Sequence, residues 1–340
     1  MANKNLNQAK RAKNDEFYTQ YNDIEKEITA YIEYDPDVFK GKIILLPCDD
    51  PERSNFTLYF AQNFERFGLK KLIGTCYSPV SAGKIFTLTQ DISGDGKIDF
   101  SDLEWGYLKG DGDFRSEEVS KLRDEADIII TNPPFSLFRE FIAWIVEADK
   151  QFVIIGNMNA ITYKGVFPLI KENKMWLGNG FKSGAAYFSI PFTKDYTKGG
   201  YNEETGLVKF GNCCWFTNLD HGRQHHPLPL RTMEDNLKFT KHKKFQGKKA
   251  YDHYDNYDAI EVPYTDTIPS DYDGVMGVPI SFLDKYSAEQ FEIIGSDYDV
   301  KAGLLPEILN PNWGGKIDRA YINGKRMYAR LLIKHRSLNI

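Results

Sequence analysis

Apolar residues along the chain follow two periods. Short runs rich in β-branched residues occur at Lys42-Ile43-Ile44-Leu45-Leu46, Lys71-Leu72-Ile73-Gly74-Thr75-Cys76, Lys84–Leu88, Ile128-Ile129-Ile130, Gln151–Gly156, Ala185–Ile190 and Asn212–Asn218, and each reads as a strand. The continuously apolar ones fit parallel strands covered on both faces. Between them, apolar positions recur at helical spacing: Ile24, Ile28 and Tyr31; Leu58, Phe60, Phe64 and Phe67; Val119 and Leu122; Leu137, Phe138, Phe141, Ile142 and Ile145. Strands alternating with amphipathic helices predict an α/β fold.

One strand ends abruptly. Ile128–Ile130 runs through Thr131 into Asn132-Pro133-Pro134-Phe135. Two prolines forbid the strand from continuing and remove two backbone donors, so the loop is stiff. It sits at the carboxyl end of a strand, where open α/β sheets place their chemistry. The Asn132 side-chain oxygen and the Pro133 carbonyl can both accept hydrogen bonds from one NH2 group. Holding both protons there aims the nitrogen lone pair at an electrophile. Phe135 offers a flat face for a planar base. This segment resembles the catalytic motif of S-adenosylmethionine-dependent methyltransferases that modify an exocyclic or amide nitrogen.

Composition narrows the setting. At 340 residues the chain can hold two domains or one large one. A net charge of −5 does not announce a nucleic-acid binder, so any such surface is local. The polar start Met1–Asn5 lacks the apolar core of a signal peptide, and no run spans a membrane. Cys48, Cys76, Cys213 and Cys214 fit neither a zinc nor a disulfide spacing. A cytoplasmic protein is expected.

Further candidates lie in order along the chain. Lys4, Lys10, Arg11 and Lys13 make residues 1–14 a basic arm, either a solvated tail or a phosphate contact. Phe17-Tyr18-Thr19 precedes an amphipathic helix, and Thr19 could present its hydroxyl and amide to a carboxylate. After the strand at Leu46, Asp49 or Asp50 either pairs with an ammonium group or caps the next helix. Cys48 resembles the nucleophile of cytosine-C5 methyltransferases, but that cysteine belongs at the Asn132 position. Asp91–Asp102 carries oxygen residues at calcium-loop spacing, but a strand precedes it, and a polar hairpin is the preferred reading. In Gly110-Asp111-Gly112-Asp113-Phe114, Asp113 could accept from an adenine amino group and Phe114 pack on its ring. Trp215-Phe216 are assigned to clamping a flipped base, against the alternative of two core aromatics on opposite strand faces. His221, His225 and His226 lack a companion zinc pattern, so no metal is expected. Two basic runs, 238–249 and 316–336, flank a Tyr- and Asp-rich stretch, and Asn323-Gly324 predicts a hairpin turn.

Together, Asp15–Thr19, Cys48–Pro51, Gly110–Phe114, Thr131–Glu140 and Trp215–Asp220 resemble the EcoRI-type adenine-specific DNA methyltransferase family. The resemblance implies a Rossmann-like catalytic domain over residues 15–220, with helices on both faces of its sheet, and a smaller target-recognition region over 221–340. It implies N6-methylation of adenine in double-stranded DNA, with GAATTC as the prototype site. S-adenosylmethionine is the implied cofactor, held by Phe17, Tyr18, Thr19, Asp49, Asp50, Asp113 and Phe114, with Asn132, Pro133, Pro134 and Phe135 catalytic. It further implies a monomer, working either alone or beside a restriction endonuclease of the same specificity. The usual Gly-rich cofactor loop is absent, and the acid that ordinarily binds the ribose is replaced by Cys76-Tyr77. Rival readings are a methyltransferase acting on RNA or a protein glutamine, and a non-catalytic DNA-binding module.

Overall fold

The computed structural model describes residues 17–48, 50–181, 185–190 and 201–336. The basic arm, Asp15, Glu16 and Asp49 lie outside the described residues. The chain is mixed α/β and divides into two compact units: Met1–Val166 with Met175–His221, and Phe167–Lys174 with Gly222–Ile340.

The first unit holds twelve described strands: β1 (Tyr18–Thr19), β2 (Ile43–Leu46), β3 (Lys71–Thr75), β4 (Lys84–Leu88), β5 (Glu104–Tyr107), β6 (Ile128–Thr131), β7 (Gln151–Asn157), β8 (Trp176–Leu177), β9 (Ala185–Ser189), β10 (Tyr201–Asn202), β11 (Leu207–Gly211) and β12 (Cys213–Thr217). Eight form one sheet, in the order β5-β4-β3-β2-β6-β7-β12-β8. Its centre, β3-β2-β6-β7, is parallel. The flanking strands β4, β5, β12 and β8 are antiparallel to their neighbours. The chain runs from β2 to β3 on one side, then returns to lay β6 on the other. That reversal opens a crevice at the carboxyl ends of β2 and β6.

The central strands are buried on both faces, which is why they read as unbroken apolar runs. Ile44, Leu46, Ile128, Ile130, Val153, Ile155 and Trp215 pack on α1 (Tyr21–Tyr34) and α2 (Asn55–Gln62) through Ile24, Ile28, Phe56 and Phe60. Each such fully buried aliphatic side chain contributes about 1.5–3 kcal/mol. Residues of the other parity, Gly156 and Phe216, face Phe138. The helical pattern expected to run on through Phe64 and Phe67 breaks at Asn63. A short α3 (Phe64–Phe67) follows and ends on left-handed Gly68. Two more helices complete the unit: α4 (Glu117–Glu125), capped by Ser116, and α5 (Phe138–Glu147), which follows the Asn-Pro-Pro-Phe loop through a single 3-10 turn. A smaller sheet, β1-β9-β11-β10, is antiparallel throughout.

The second unit contains α6 (Phe167–Lys171), α7 (Met233–Phe239) and α8 (Asp297–Lys301). Its sheet follows the order β13-β14-β18-β15, built from β13 (Ala259–Glu261), β14 (Val275–Val278), β15 (Phe291–Ser296) and β18 (Leu331–His335). The hairpin expected at Asn323-Gly324 is present as β16 (Tyr321–Ile322) and β17 (Lys325–Arg326). Both turn residues have positive φ, 51° and 71°, as a two-residue turn of this hand requires. The Tyr- and Asp-rich stretch is structural. Tyr254 and Tyr257 enter the core, while buried Asn256 accepts from Tyr321 N at 2.9 Å and donates to Arg319 O at 2.8 Å.

Candidate active site

Four segments converge at the carboxyl edge of the parallel strands. Thr131 ends β6, and its hydroxyl donates to the Pro47 carbonyl just beyond β2, tying the two strand tips together. Cys48 follows with φ 85°, a left-handed conformation that side chains other than glycine rarely adopt. The loop expected to depart from the family by lacking glycine thus holds a glycine-like backbone at its start.

Asn132 is buried at 6 % exposure. Its Nδ2 donates to the Phe17 carbonyl at 2.6 Å. A carbonyl can only accept, so this bond fixes which way the amide faces. The Oδ1 is left without a hydrogen-bond partner among the described residues. A buried acceptor in that state costs about 1–3 kcal/mol, an expense that marks a ligand position more readily than a structural one.

Phe17-Tyr18-Thr19 is held at both ends. Asn132 takes the Phe17 carbonyl, and Asn55 Nδ2, at the start of α2, donates to the Thr19 carbonyl at 2.7 Å. Pairing of β1 with β9 sets Thr19 opposite Phe188. Thr19 Oγ1 is buried and, among the described residues, also without a partner. Two orphaned polar atoms therefore sit in segments joined by one hydrogen bond.

Phe135 is half-buried within an aromatic cluster. Its ring lies 6.3 Å from Phe17, 6.4 Å from Phe188 and 6.0 Å from Phe210. Phe17 and Phe188 are buried, whereas Phe135 and Phe210 keep part of their surface open. Asn55, Phe188 and Phe210 escaped sequence reasoning. Asn55 looks like any helix-start residue, and the two rings arrive through long-range strand pairing.

The loop 110–115 lies beside the tip of β3. Gly83 N donates to the Gly110 carbonyl at 2.9 Å, and Ser78 N donates to the Asp111 carbonyl at 2.7 Å. Gly112, at φ 81°, packs so closely that an added Cβ would stand 2.1 Å from the Cys76 carbonyl oxygen. Asp113 is engaged by Arg115, whose Nε and Nη2 donate at 2.9 and 2.6 Å. Burial pushes this carboxyl up, but the hydrogen bonds and charge of Arg115 outweigh it and hold it below the ordinary value. Phe114 is buried edge-on against Phe141 and Trp144, with the Arg115 guanidinium over its ring. Asp113 and Phe114 thus lie near the carboxyl end of β3, each with a partner already in place. Asp50 Oδ1 accepts from Glu52 N at 3.1 Å, a turn contact ahead of the Ser54 cap of α2.

The clamp expected at Trp215 and Phe216 does not form. Both rings are 0 % exposed. Trp215 stacks on Phe181 at 5.6 Å, and Phe216 packs on Phe138 at 5.2 Å from the opposite sheet face. In a central strand covered on both faces, successive side chains enter two different cores, and neither is open to a base.

The Asp91–Asp102 loop is the polar connection of the β4–β5 hairpin. Asp91 accepts from Gly94 N and Gly96 N at 2.6 and 2.8 Å. Asp102 accepts from Ile92 N, Ser93 N and Asp99 N. The histidines separate: His221 contacts the Leu177 carbonyl at 2.9 Å, and His225 contacts Glu289. Among the described residues, no group of three or more His, Cys, Asp or Glu side chains is placed to hold a metal. None of the described helices is long and apolar enough to cross a membrane.

The chain is 43 % identical to Type II methyltransferase M.EcoRI of Escherichia coli, over 99 % of this chain and 98 % of that protein. It is 35 % identical to Type II methyltransferase M.MpnI of Mycoplasma pneumoniae, over 97 % of this chain and 98 % of that protein. It is also 35 % identical to Type II methyltransferase M.MgeORF184P of Mycoplasma genitalium, over 98 % and 99 % of the two chains. No solved structure matches it. The family profile "Adenine-specific methyltransferase EcoRI" matches residues 5–336, and the chain belongs to that family of adenine-specific methyltransferases.

Proposed function

We propose that the chain methylates adenine N6 at a specific site in double-stranded DNA, and that the reaction occurs at Asn132-Pro133-Pro134-Phe135. The observation that carries this reading is the buried Asn132 Oδ1, unpartnered among the described residues while its Nδ2 is committed to the Phe17 carbonyl. In this reading, Oδ1 and the Pro133 carbonyl accept the two protons of the adenine amino group and turn its lone pair outward. Pro134 keeps the loop stiff, and Phe135 supports the base plane with Phe210 beside it. Rate enhancement comes from placement and fixed dipoles, with no covalent intermediate on the protein.

The cofactor is S-adenosylmethionine, which supplies the electrophilic methyl group. The residues present fit it. In this reading the eight-stranded sheet of the first unit is a Rossmann-like methyltransferase sheet, its switch-point crevice flanked by Thr19 Oγ1, without a partner among the described residues, and by the left-handed Cys48 backbone. Phe17, Tyr18 and Thr19 would hold its methionine end together with Asp49 or Asp50. The 110–115 loop beside β3 would close over its adenine end through Asp113 and Phe114.

Target recognition falls to the second unit. In this reading the chain is a cytoplasmic monomer acting at GAATTC, alone or beside a restriction endonuclease of the same specificity; its 43 % identity to M.EcoRI supports the choice of site. The test is methyl transfer from labelled S-adenosylmethionine to unmethylated plasmid, RNA and protein, followed by EcoRI digestion and adenine mapping. Cleavage-resistant, methylated GAATTC is the expected result. Methylation of other adenines would move the specificity, and transfer to RNA or protein alone would overturn the DNA reading.

A further inference from the structure

The second unit brings together two basic segments that lie far apart in the sequence. A cleft of about 370 Å3 is lined by Lys244, Lys248 and Tyr251 from one segment and by Asn323, Lys325 and Met327 from the β16–β17 hairpin. Two acids also line it, and each already has a basic partner. Asp252 is paired with Lys248. Glu261 receives Arg330 Nη2 at 2.5 Å and Nε at 3.0 Å, and the Tyr254 hydroxyl donates to it as well. Lys244 and Lys325 are exposed and make no ion pair among the described residues, so they give the cleft its net charge. The hairpin is held in place: Gly324 N donates to Asp255 Oδ2 at 2.8 Å, and Asp255 N donates to the Tyr321 carbonyl at 2.8 Å. Lys325 is therefore presented on a fixed support.

Two lysines lining one cleft, with Asn323 also in its wall, suit phosphodiester oxygens. A lysine is a compact, rotatable donor that engages phosphate as a point charge and carries no base pattern. An acidic peptide would match the charge but offers no repeating anion along a stiff backbone. We propose that this cleft grips the sugar-phosphate backbone of duplex DNA, with Lys244 and Lys325 each neutralising one phosphate and neither reading sequence. The proposal rests on the DNA reading above and adds to it a specific positioning surface.

The experiment is fluorescence anisotropy with two labelled duplexes, one carrying GAATTC and one with that site scrambled, over a salt series. The full chain is compared with Lys244→Gln/Lys325→Gln and with Lys244→Arg/Lys325→Arg. Removing two phosphate contacts should make the slope of log affinity against log salt shallower by about two. Both duplexes should weaken by the same factor, and the arginine variant should retain the slope. An unchanged slope in the glutamine variant would overturn the proposal, as would a loss confined to the GAATTC duplex, which would make these lysines base readers. If the unsubstituted chain binds neither duplex, the DNA reading itself falls and this proposal falls with it.

Discussion

Asn132 and Phe17, 115 residues apart, meet through one hydrogen bond of 2.6 Å from a side-chain amide to a backbone carbonyl. The bond does two things. It anchors the Phe17–Thr19 segment to the tip of β6, and it orients the Asn132 amide so that its oxygen is left for a ligand. Asn55, at the start of α2, completes the anchor through the Thr19 carbonyl. Segments expected to serve the cofactor and the methyl acceptor are thus mechanically one.

Asn55→Ala removes only the second anchor. An ordinary hydrogen bond contributes about 1 kcal/mol, so cofactor affinity should fall roughly fivefold. Methyl transfer at saturating cofactor should change less. Calorimetric titration beside single-turnover kinetics separates the two effects, and an equal loss in both would mean that Asn55 supports the reacting geometry itself.

Trp215→Ala tests where that ring acts. A fully buried tryptophan replaced by alanine should cost about 3–5 kcal/mol of stability. Trp215→Phe should recover much of it and leave DNA affinity unaltered. Denaturant unfolding gives the first comparison and anisotropy the second. A variant of normal stability with selectively weakened DNA binding would restore the clamp reading.

Arg330, just ahead of β18, and Glu261 of β13 form a buried pair, at 6 % and 4 % exposure. Arg330→Ala strands a carboxylate and should cost about 3–5 kcal/mol. Replacing both partners with apolar residues of similar volume should cost less than either single change. A double-mutant cycle on urea unfolding reads this directly, and additive losses would contradict the coupling.

Asp297 gives the second unit a pH signature. Burial raises its carboxyl from 3.8 to about 6, against the lowering effects of the Arg330 amide and the Arg319 and Arg330 charges. An acid whose folded value is raised binds its proton more tightly in the folded state, so the folded state loses stability as pH climbs from about 4 to about 6. The size is on the order of 3 kcal/mol. Asp297→Asn should abolish this part of the pH dependence. The difference between wild-type and variant unfolding free energies across that window should slope accordingly; parallel curves would refute the assignment.

Much of the architecture was legible because it is written locally. Ile128–Thr131 ends where two prolines force it to, Asn323-Gly324 dictates its own turn, and the apolar faces of α1 and α5 follow helical spacing. What stayed hidden depends on partners distant in sequence. Trp215 and Phe216 read either as a base clamp or as two core aromatics on opposite strand faces, and only the pairing of β12 with β7 and β8 encloses them. Phe188 and Phe210 join Phe135 only through the β1-β9-β11 pairing. Asp113 gave no sign in the sequence that Arg115, two residues on, would engage both its oxygens. Periodicity reports which element forms, but not which neighbour claims a side chain's last hydrogen bond.

The central claim is that Asn132 presents an acceptor to the reacting amine. It is tested most directly by Asn132→Ala and Asn132→Asp, assayed together for labelled methyl transfer to GAATTC-containing DNA and for cofactor binding by calorimetry. The account predicts transfer reduced by at least about 100-fold in Asn132→Ala, with cofactor affinity within a few-fold of wild type, and a smaller loss in Asn132→Asp, which keeps an acceptor but cannot donate to the Phe17 carbonyl. Transfer retained in Asn132→Ala, or transfer and cofactor binding lost in equal measure, would contradict it.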